Sequence, residues 1–188
     1  MRLADTGRKR CDVFVIGGGP AGATIATLLA ERGWDVVLAE KDRHPRFHIG
    51  ESLLPMNLPI LQRLGVLDEI ARIGVLKIGA DFPAPSAEGY KVFRFDRALD
   101  PTWSNAYQVR RDEFDSVLLE NAAENGVTAF QGRKVTTFRA GSDSVVVEGN
   151  SDAGEPFRCA ARYLVDATGR DTLIGNQLRL KRKSRRHQ

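Results

Sequence analysis

Three glycines, Gly17, Gly19 and Gly22 in the stretch CDVFVIGGGPAG, have a spacing that suits a phosphate. Gly17 permits a tight turn, Gly19 lets backbone approach a pyrophosphate, and Gly22 lets a helix pack closely on a strand. Pro20 and Ala21 then fall in the first helical turn, whose amides face an anion. Glu40 ends the next apolar run, where a carboxylate accepts hydrogen bonds from adenosine ribose hydroxyls. A dinucleotide site is the reading; a glycine-rich turn that binds nothing is the alternative. A second grouping, Gly50-Glu51-Ser52 in FHIGESLLP, sets a carboxylate beside a hydroxyl in a loop that runs into a helix. Arg46, with His44 and His48 in RHPRFH, places cationic or titratable groups near a phosphate; for the histidines a solvated loop serves equally well. There is no Ser-His-Asp arrangement and no metal-ligand cluster, and Cys11 and Cys159 lie far apart in the chain.

These residues need a frame. CDVFVIGGG is a short apolar run ending in glycines, as in a buried parallel strand. PAGATIATLLAERG carries Ala and Leu at helical spacing, opens at Pro20 and stops at Gly33. WDVVLAE is a second buried strand, and the three make one βαβ unit. A helix is expected from about Ser52 to Leu64, and a shorter one over LDEIARIG. Within an irregular region from 75 to 106, YKVFRF reads as a strand. RRDEFDSVLLENAAENG is a helix with Phe114, Val117, Leu118 and Ala122 on one face, Asp112 as N-cap and Gly126 as stop. VTAFQ is another parallel strand. KVTTFRA, SVVVEG and PFRCAARYLVDATG follow, separated by turn residues as in a β-meander. The expected fold class is α/β, a doubly wound Rossmann-like parallel sheet with a β-meander. Its parallel strands fall near 12–16, 35–39, 127–131 and 162–166.

The 188 residues suffice for one domain with a real core. No apolar run reaches the roughly 18 residues that span a bilayer. MRLADTGRKR is basic but has no apolar region behind it, so a signal peptide is not expected and a reduced, cytoplasmic setting is. The basic balance is local. The last ten residues hold six Lys or Arg and no acid, so the net +4 leaves the rest at −2. A solvated tail is therefore favoured over a nucleic-acid partner, and no membrane partner is expected.

The late strand RYLVDATGR, ending in Ala167-Thr168-Gly169, resembles the second nucleotide motif of two-dinucleotide-fold flavoproteins. The pattern Arg-x-x-Phe-Asp beginning at Arg111 resembles that of flavin monooxygenases of the hydroxybenzoate hydroxylase type. With FHIGESLLP and LGVLDEIARIGVLKIGADF added, residues from about 11 to 187 resemble the flavin-dependent halogenases, especially those acting on phenols or carrier-bound pyrroles. The resemblance implies FAD as cofactor. It places Gly50, Glu51 and Ser52 against the flavin, and Lys77 between the flavin pocket and the substrate. Lys41, Arg46, Arg111, Val135, Asp166 and Gly169 join the glycines and Glu40 as expected cofactor contacts.

The implied chemistry converts halide, oxygen and reduced FAD to hypohalous acid. Lys77 then holds that oxidant by a hydrogen bond, or as a haloamine, toward an electron-rich ring. Glu51 positions the flavin edge or gates the route to the lysine. Its alternative role is a helix cap favoured by the dipole. A solvated lysine and a surface arginine near a helix start are the alternatives for Lys77 and Arg111. The implied partners are an aromatic substrate, free or carrier-bound, and a flavin reductase.

The family also carries Trp-x-Trp-x-Ile-Pro and a later Gly-Asp motif. Neither Trp34 nor Trp103 fits the first, and only 19 residues follow Gly169. The expected layout is thus the N-terminal part of a longer flavoenzyme. It has a lead over 1–10, an incomplete FAD-binding domain over 11–178 and a basic tail over 179–188. A substrate-side insertion starts at about 75–106. An aromatic monooxygenase, a prenyl reductase and a non-catalytic FAD-binding remnant remain open beside the halogenase.

Overall fold

A computed structural model describes residues 10–83 and 89–182. Most of the lead, and the tail from 183 onward, lie outside the described residues. The elements run β1 (Arg10–Ile16), α1 (Pro20–Ala30), β2 (Val36–Glu40), α2 (Leu58–Arg63), α3 (Leu67–Ile73), β3 (Val75–Lys77), β4 (Gly79–Pro83), β5 (Tyr90–Arg94), β6 (Ala106–Gln108), α4 (Arg111–Glu124), β7 (Thr128–Gln131), β8 (Arg133–Ala140), β9 (Val145–Ser151), β10 (Pro156–Asp166) and α5 (Leu173–Gln177). The chain divides into two compact units, one of Met1–His44 with Leu118–Gln188, the other of Pro45–Val117.

The first unit is built on a six-stranded sheet in the order β7-β2-β1-β10-β9-β8. β1 pairs in parallel with both β2 and β10, so Val15 lies beside Leu38 on one side and Val165 on the other. β2 pairs in parallel with β7. The expected βαβ unit and the four parallel strands are all present. Val13–Ile16 and all of β2 are buried, which is what a near-continuous apolar strand in a covered sheet requires. α1 buries Gly22, Ala23, Ala26 and Thr27, a face of small residues. The meander is β8-β9-β10, antiparallel throughout. On β9, Val145, Val147 and Gly149 are buried while the residues between them are half-exposed, the alternation of a strand with one covered face. Phe14, Ile16, Val37, Phe130, Phe138, Val147 and Cys159 belong to one apolar cluster.

The second unit holds α2, α3 and two small antiparallel sheets, β3-β6 and β4-β5. Leu58, Leu61, Leu64, Val66 and Ile70 are its buried residues on the two helices and the turn joining them. Two sequence expectations fail here. The helix expected from Ser52 begins only at Leu58, after a 3-10 turn at Pro55–Asn57. Proline disfavours the helical region for the residue before it, and Leu54 is extended at φ −117°, ψ 157°. Glu51 therefore does not stand at a helix N-terminus, and its capping role is ruled out. Asp112 is the second residue of α4 and not its N-cap; its Oδ1 accepts from the Glu113 amide.

Candidate functional site

In the first unit the glycine turn is fixed from two sides. The Gly17 amide donates to the Ala39 carbonyl at 2.8 Å, and the Ala167 amide donates to the Ile16 carbonyl at 2.9 Å. Gly17 has φ +102°, and a Cβ there would stand 2.5 Å from the Ala167 carbonyl oxygen. A Cβ on Gly22 would lie 1.8 Å from the Gly17 carbonyl oxygen. The turn, the first helical residues and the Ala-Thr-Gly segment are thus packed to the limit that glycine allows. Gly19 is the extended N-cap of α1, with no side-chain cap, Pro20 following and no acid in the first turn. The amide end of the helix, Ala21 and Gly22 included, is left for an anion.

Glu40 is buried, at 3% exposure. Its Oε2 accepts from the Gly18 amide at 2.6 Å and its Oε1 from the Asp42 amide at 2.9 Å. Gly18 escaped the sequence reading, which weighed only the spaced glycines. A Cβ on Gly18 would meet the Glu40 Cβ at 2.9 Å, so the carboxylate and the bare residue fit as a pair. Each carboxylate oxygen has further lone pairs, so bracing the turn is compatible with accepting from a ribose.

Asp166 organises the second motif. Its Oδ1 accepts from the Thr168 amide and hydroxyl at 3.1 and 2.6 Å, and its Oδ2 from the Ile174 amide at 2.7 Å. Gly169 opens the following 3-10 turn with φ +62°. Lys41 pairs with Asp171 on that turn at 2.5 Å. The hydrogen bond to Asp171 holds the lysine above its ordinary range against the opposing effect of burial, and the same bond holds Asp171 below the usual carboxylate range. Val135 is a buried member of the apolar cluster. The His44 amide donates to Gln131 Oε1.

In the second unit Arg111 grips Asp115 with two parallel bonds, Nε to Oδ1 at 2.8 Å and Nη2 to Oδ2 at 2.9 Å. Its Nη1 donates to the Ile49 carbonyl at 3.0 Å. Asp115 is fully buried, and Arg46 Nη2 stands 3.7 Å from its Oδ2. Arg111 is only 15% exposed, which removes the surface-arginine alternative. Gly50 has φ +109°, and its Cβ position lies 3.1 Å from Arg111 Nη1. Asp115, one helical turn after Arg111, is the aspartate of the Arg-x-x-Phe-Asp pattern, to which sequence reasoning gave no role of its own. The i, i+4 spacing was its signal.

β6 acts as a template for the rest. The Leu53 amide donates to the Tyr107 carbonyl, the Val109 amide donates to the Glu51 carbonyl, and Ser52 forms a bridge with Gln108. β3 lies antiparallel to the same strand, with Lys77 opposite Ala106. Ser52 and Lys77 are thereby brought together. Lys77 Nζ donates to Ser52 Oγ at 2.6 Å and to the Leu53 carbonyl at 3.2 Å, and lies 5.3 Å from the centre of the Phe95 ring. The solvated alternative for Lys77 does not describe a half-buried side chain so held. Glu51 is half-buried. Arg110 is held above its ordinary range chiefly by the hydrogen bond to Asp112, with Glu51 a smaller electrostatic contribution.

Among the described residues no cluster could hold a metal ion, and no helix is long and apolar enough to cross a membrane. A cofactor with a pyrophosphate and an adenosine fits the first unit, where bare amides and glycines that a Cβ would overfill form the cradle.

Residues 10–188 match the family model described as FAD binding domain. A tryptophan 2-halogenase from Chondromyces crocatus is 36% identical over 171 residues, covering 88% of this chain and 31% of its own length. The chain thus spans about a third of that relative. The solved myxobacterial chondrochloren halogenase CndH, a FAD-dependent halogenase, superposes with a TM-score of 0.82 at 36% identity, over 87% of this chain and 38% of its own. A flavoprotein/dehydrogenase from Cytophaga hutchinsonii superposes with a TM-score of 0.88 at 33% identity, over 94% and 43% respectively.

Proposed function

Since the chain belongs to the FAD binding domain family and FAD is its cofactor, we propose that it forms the FAD-holding part of a flavin-dependent, halogenase-like oxidoreductase acting on an electron-rich aromatic substrate. The observation that carries the reading is the seat of Lys77, whose ammonium is held on the Gly-Glu-Ser loop by Ser52 and Leu53. Similarity to a tryptophan 2-halogenase and to the chondrochloren halogenase supports it.

The chain's residues divide the work. The amides at the start of α1, with Gly17, Gly19 and Gly22, hold the pyrophosphate. Glu40 accepts from the adenosine ribose, Lys41 follows it in the chain, and Gly169 opens the turn whose Asp171 pairs with Lys41. Arg46 and Arg111, braced by Asp115, hold the loop that carries Gly50 and Glu51. When bound, reduced FAD supplies the electrons that, with oxygen and halide, yield hypohalous acid.

Lys77 then acts as a proton donor to that oxidant. Its ammonium hydrogen-bonds the oxygen and polarises the oxygen–halogen bond. An electron pair of the ring forms the carbon–halogen bond as the oxygen–halogen bond breaks. The departing hydroxide takes the lysine proton and leaves as water. The ring then gives up its proton, and the amine takes it back. Glu51 positions the loop edge that faces the cofactor. A flavin reductase supplies reduced FAD, and a reducing, cytoplasmic compartment suits Cys11 and Cys159, which form no disulfide.

An aromatic monooxygenase or a reductase of the same fold is the second reading, favoured by the likeness to the flavoprotein/dehydrogenase. That chemistry needs no lysine at position 77. A chimera separates the two. This chain would replace the matching segment of the chondrochloren halogenase, with and without Lys77→Ala. Halogenated product that disappears in the variant, while reduced FAD is still consumed, is the expected result. Equal product from both chimeras contradicts the assignment of Lys77.

A further inference from the structure

We infer that Ser52 is a positioning residue for Lys77, the hydroxyl that fixes where the ammonium points. The role rests on the reading of Lys77 as the group that orients the oxidant. A lysine has four rotatable side-chain bonds and, left alone, sweeps a wide volume of solvent. Here three features restrict it. Ser52 Oγ accepts from Nζ at 2.6 Å, the Leu53 carbonyl accepts at 3.2 Å, and the Phe95 ring lies on the cation at 5.3 Å. An ammonium has three N–H bonds, so two acceptors and a ring face leave one donor to turn outward.

The seat is built and not incidental. Ser52 and Lys77 stand on two segments that share no local sequence, yet both are pinned to β6. Ser52 bridges Gln108, and Lys77 pairs with Ala106 two residues before it. The backbone bonds from Leu53 to Tyr107 and from Val109 to Glu51 hold the loop on either side of Ser52. The register that brings Lys77 to the loop therefore selects the hydroxyl of Gly-Glu-Ser, and not its carboxylate, as the lysine's side-chain partner. Ser52 is exposed, so its substitution touches no core packing.

The experiment reads lysine chemistry and needs no turnover. The purified chain is pulse-acylated with acetic anhydride, and modification of each lysine is quantified by peptide mass spectrometry. Exposed Lys91 and Lys134 serve as internal references. Acylation requires the amine to leave its acceptors and reach the reagent, and the bonds to Ser52 and Leu53 hold it in place. Ser52→Ala should raise the rate at Lys77, relative to the references, by about threefold to fivefold for a partly solvated charged bond. Ser52→Thr, which restores a hydroxyl, should return it to the wild-type rate. An unchanged ratio in Ser52→Ala overturns the inference. So does a Ser52→Thr variant as fast as Ser52→Ala, or a rise shared by all three lysines, which marks general loosening. FAD affinity on the same samples answers to the cofactor reading instead. Its absence in the wild type overturns that reading, while the lysine rates alone decide Ser52.

Discussion

Glu40 carries two demands in one buried carboxylate, a brace for the Gly18 amide and a seat for a ribose. Removing it should therefore show in the free protein as well as in binding. Glu40→Ala is expected to cost on the order of 1–3 kcal/mol of stability, with a parallel loss of FAD affinity. Thermal melts with and without FAD measure both, and a melt unchanged from wild type would remove the brace. Gly22→Ala is the harsher change. Its new methyl would meet the Gly17 carbonyl at 1.8 Å, and that contact is backbone that has no way to rotate aside. FAD binding should be lost in titration.

The Lys41–Asp171 pair gives a pH signature. Asp171 is held below its ordinary 3.8, first by the hydrogen bond from Lys41, so its stabilisation is complete above that value and is lost as pH falls through the lowered one. Lys41 is held above its ordinary 10.5, so its share is complete below that value and is lost as pH rises through the raised one. The stability difference between wild type and Asp171→Asn should stay flat from about pH 5 to about pH 9 and shrink below about pH 4. Both side chains are about half exposed, so the difference is small and salt-sensitive.

At the scale of elements, α4 and the loop before α2 hold each other through Asp115. Asp115→Ala leaves the Arg111 guanidinium without its bidentate partner in a mostly buried place. A cost of about 3–5 kcal/mol is expected. Asp115→Asn, which keeps one acceptor, should cost less, and chemical denaturation ranks the two. How far such elements could be read beforehand varied with their length. The βαβ unit was legible because β1, α1 and β2 each repeat their pattern over several residues. The meander was legible through its turn residues. β3 and β6 were not, because three residues show no period and their pairing joins 75–77 to 106–108. For the same reason Ser52 and Lys77 could each be named but not placed in contact. The missing first turns of the expected helix at Ser52 trace to Pro55, whose effect on Leu54 outweighed the helical spacing after it. Gly18 went unseen since its need for glycine comes from Glu40, which lies far along the chain.

At the scale of the whole molecule, apolar side chains in the second unit stand in solvent. Phe47 is 85% exposed, Ile49 80%, Met56 72% and Val75 71%. A purified chain with this surface should bind an apolar dye and self-associate as concentration rises. Phe47→Ser with Ile49→Ser should reduce both effects without lowering the melting temperature, which light scattering and a melt would check. The central claim is that the first unit holds FAD through its glycine turn and Glu40. Its most direct measurement is a calorimetric titration of the chain with FAD and, separately, with NAD, for wild type and Glu40→Ala. FAD should bind more tightly than NAD, and the variant should weaken FAD binding roughly tenfold or more, as expected for one lost hydrogen bond to a charged group. Tighter binding of NAD, or FAD affinity unchanged in Glu40→Ala, would contradict the account.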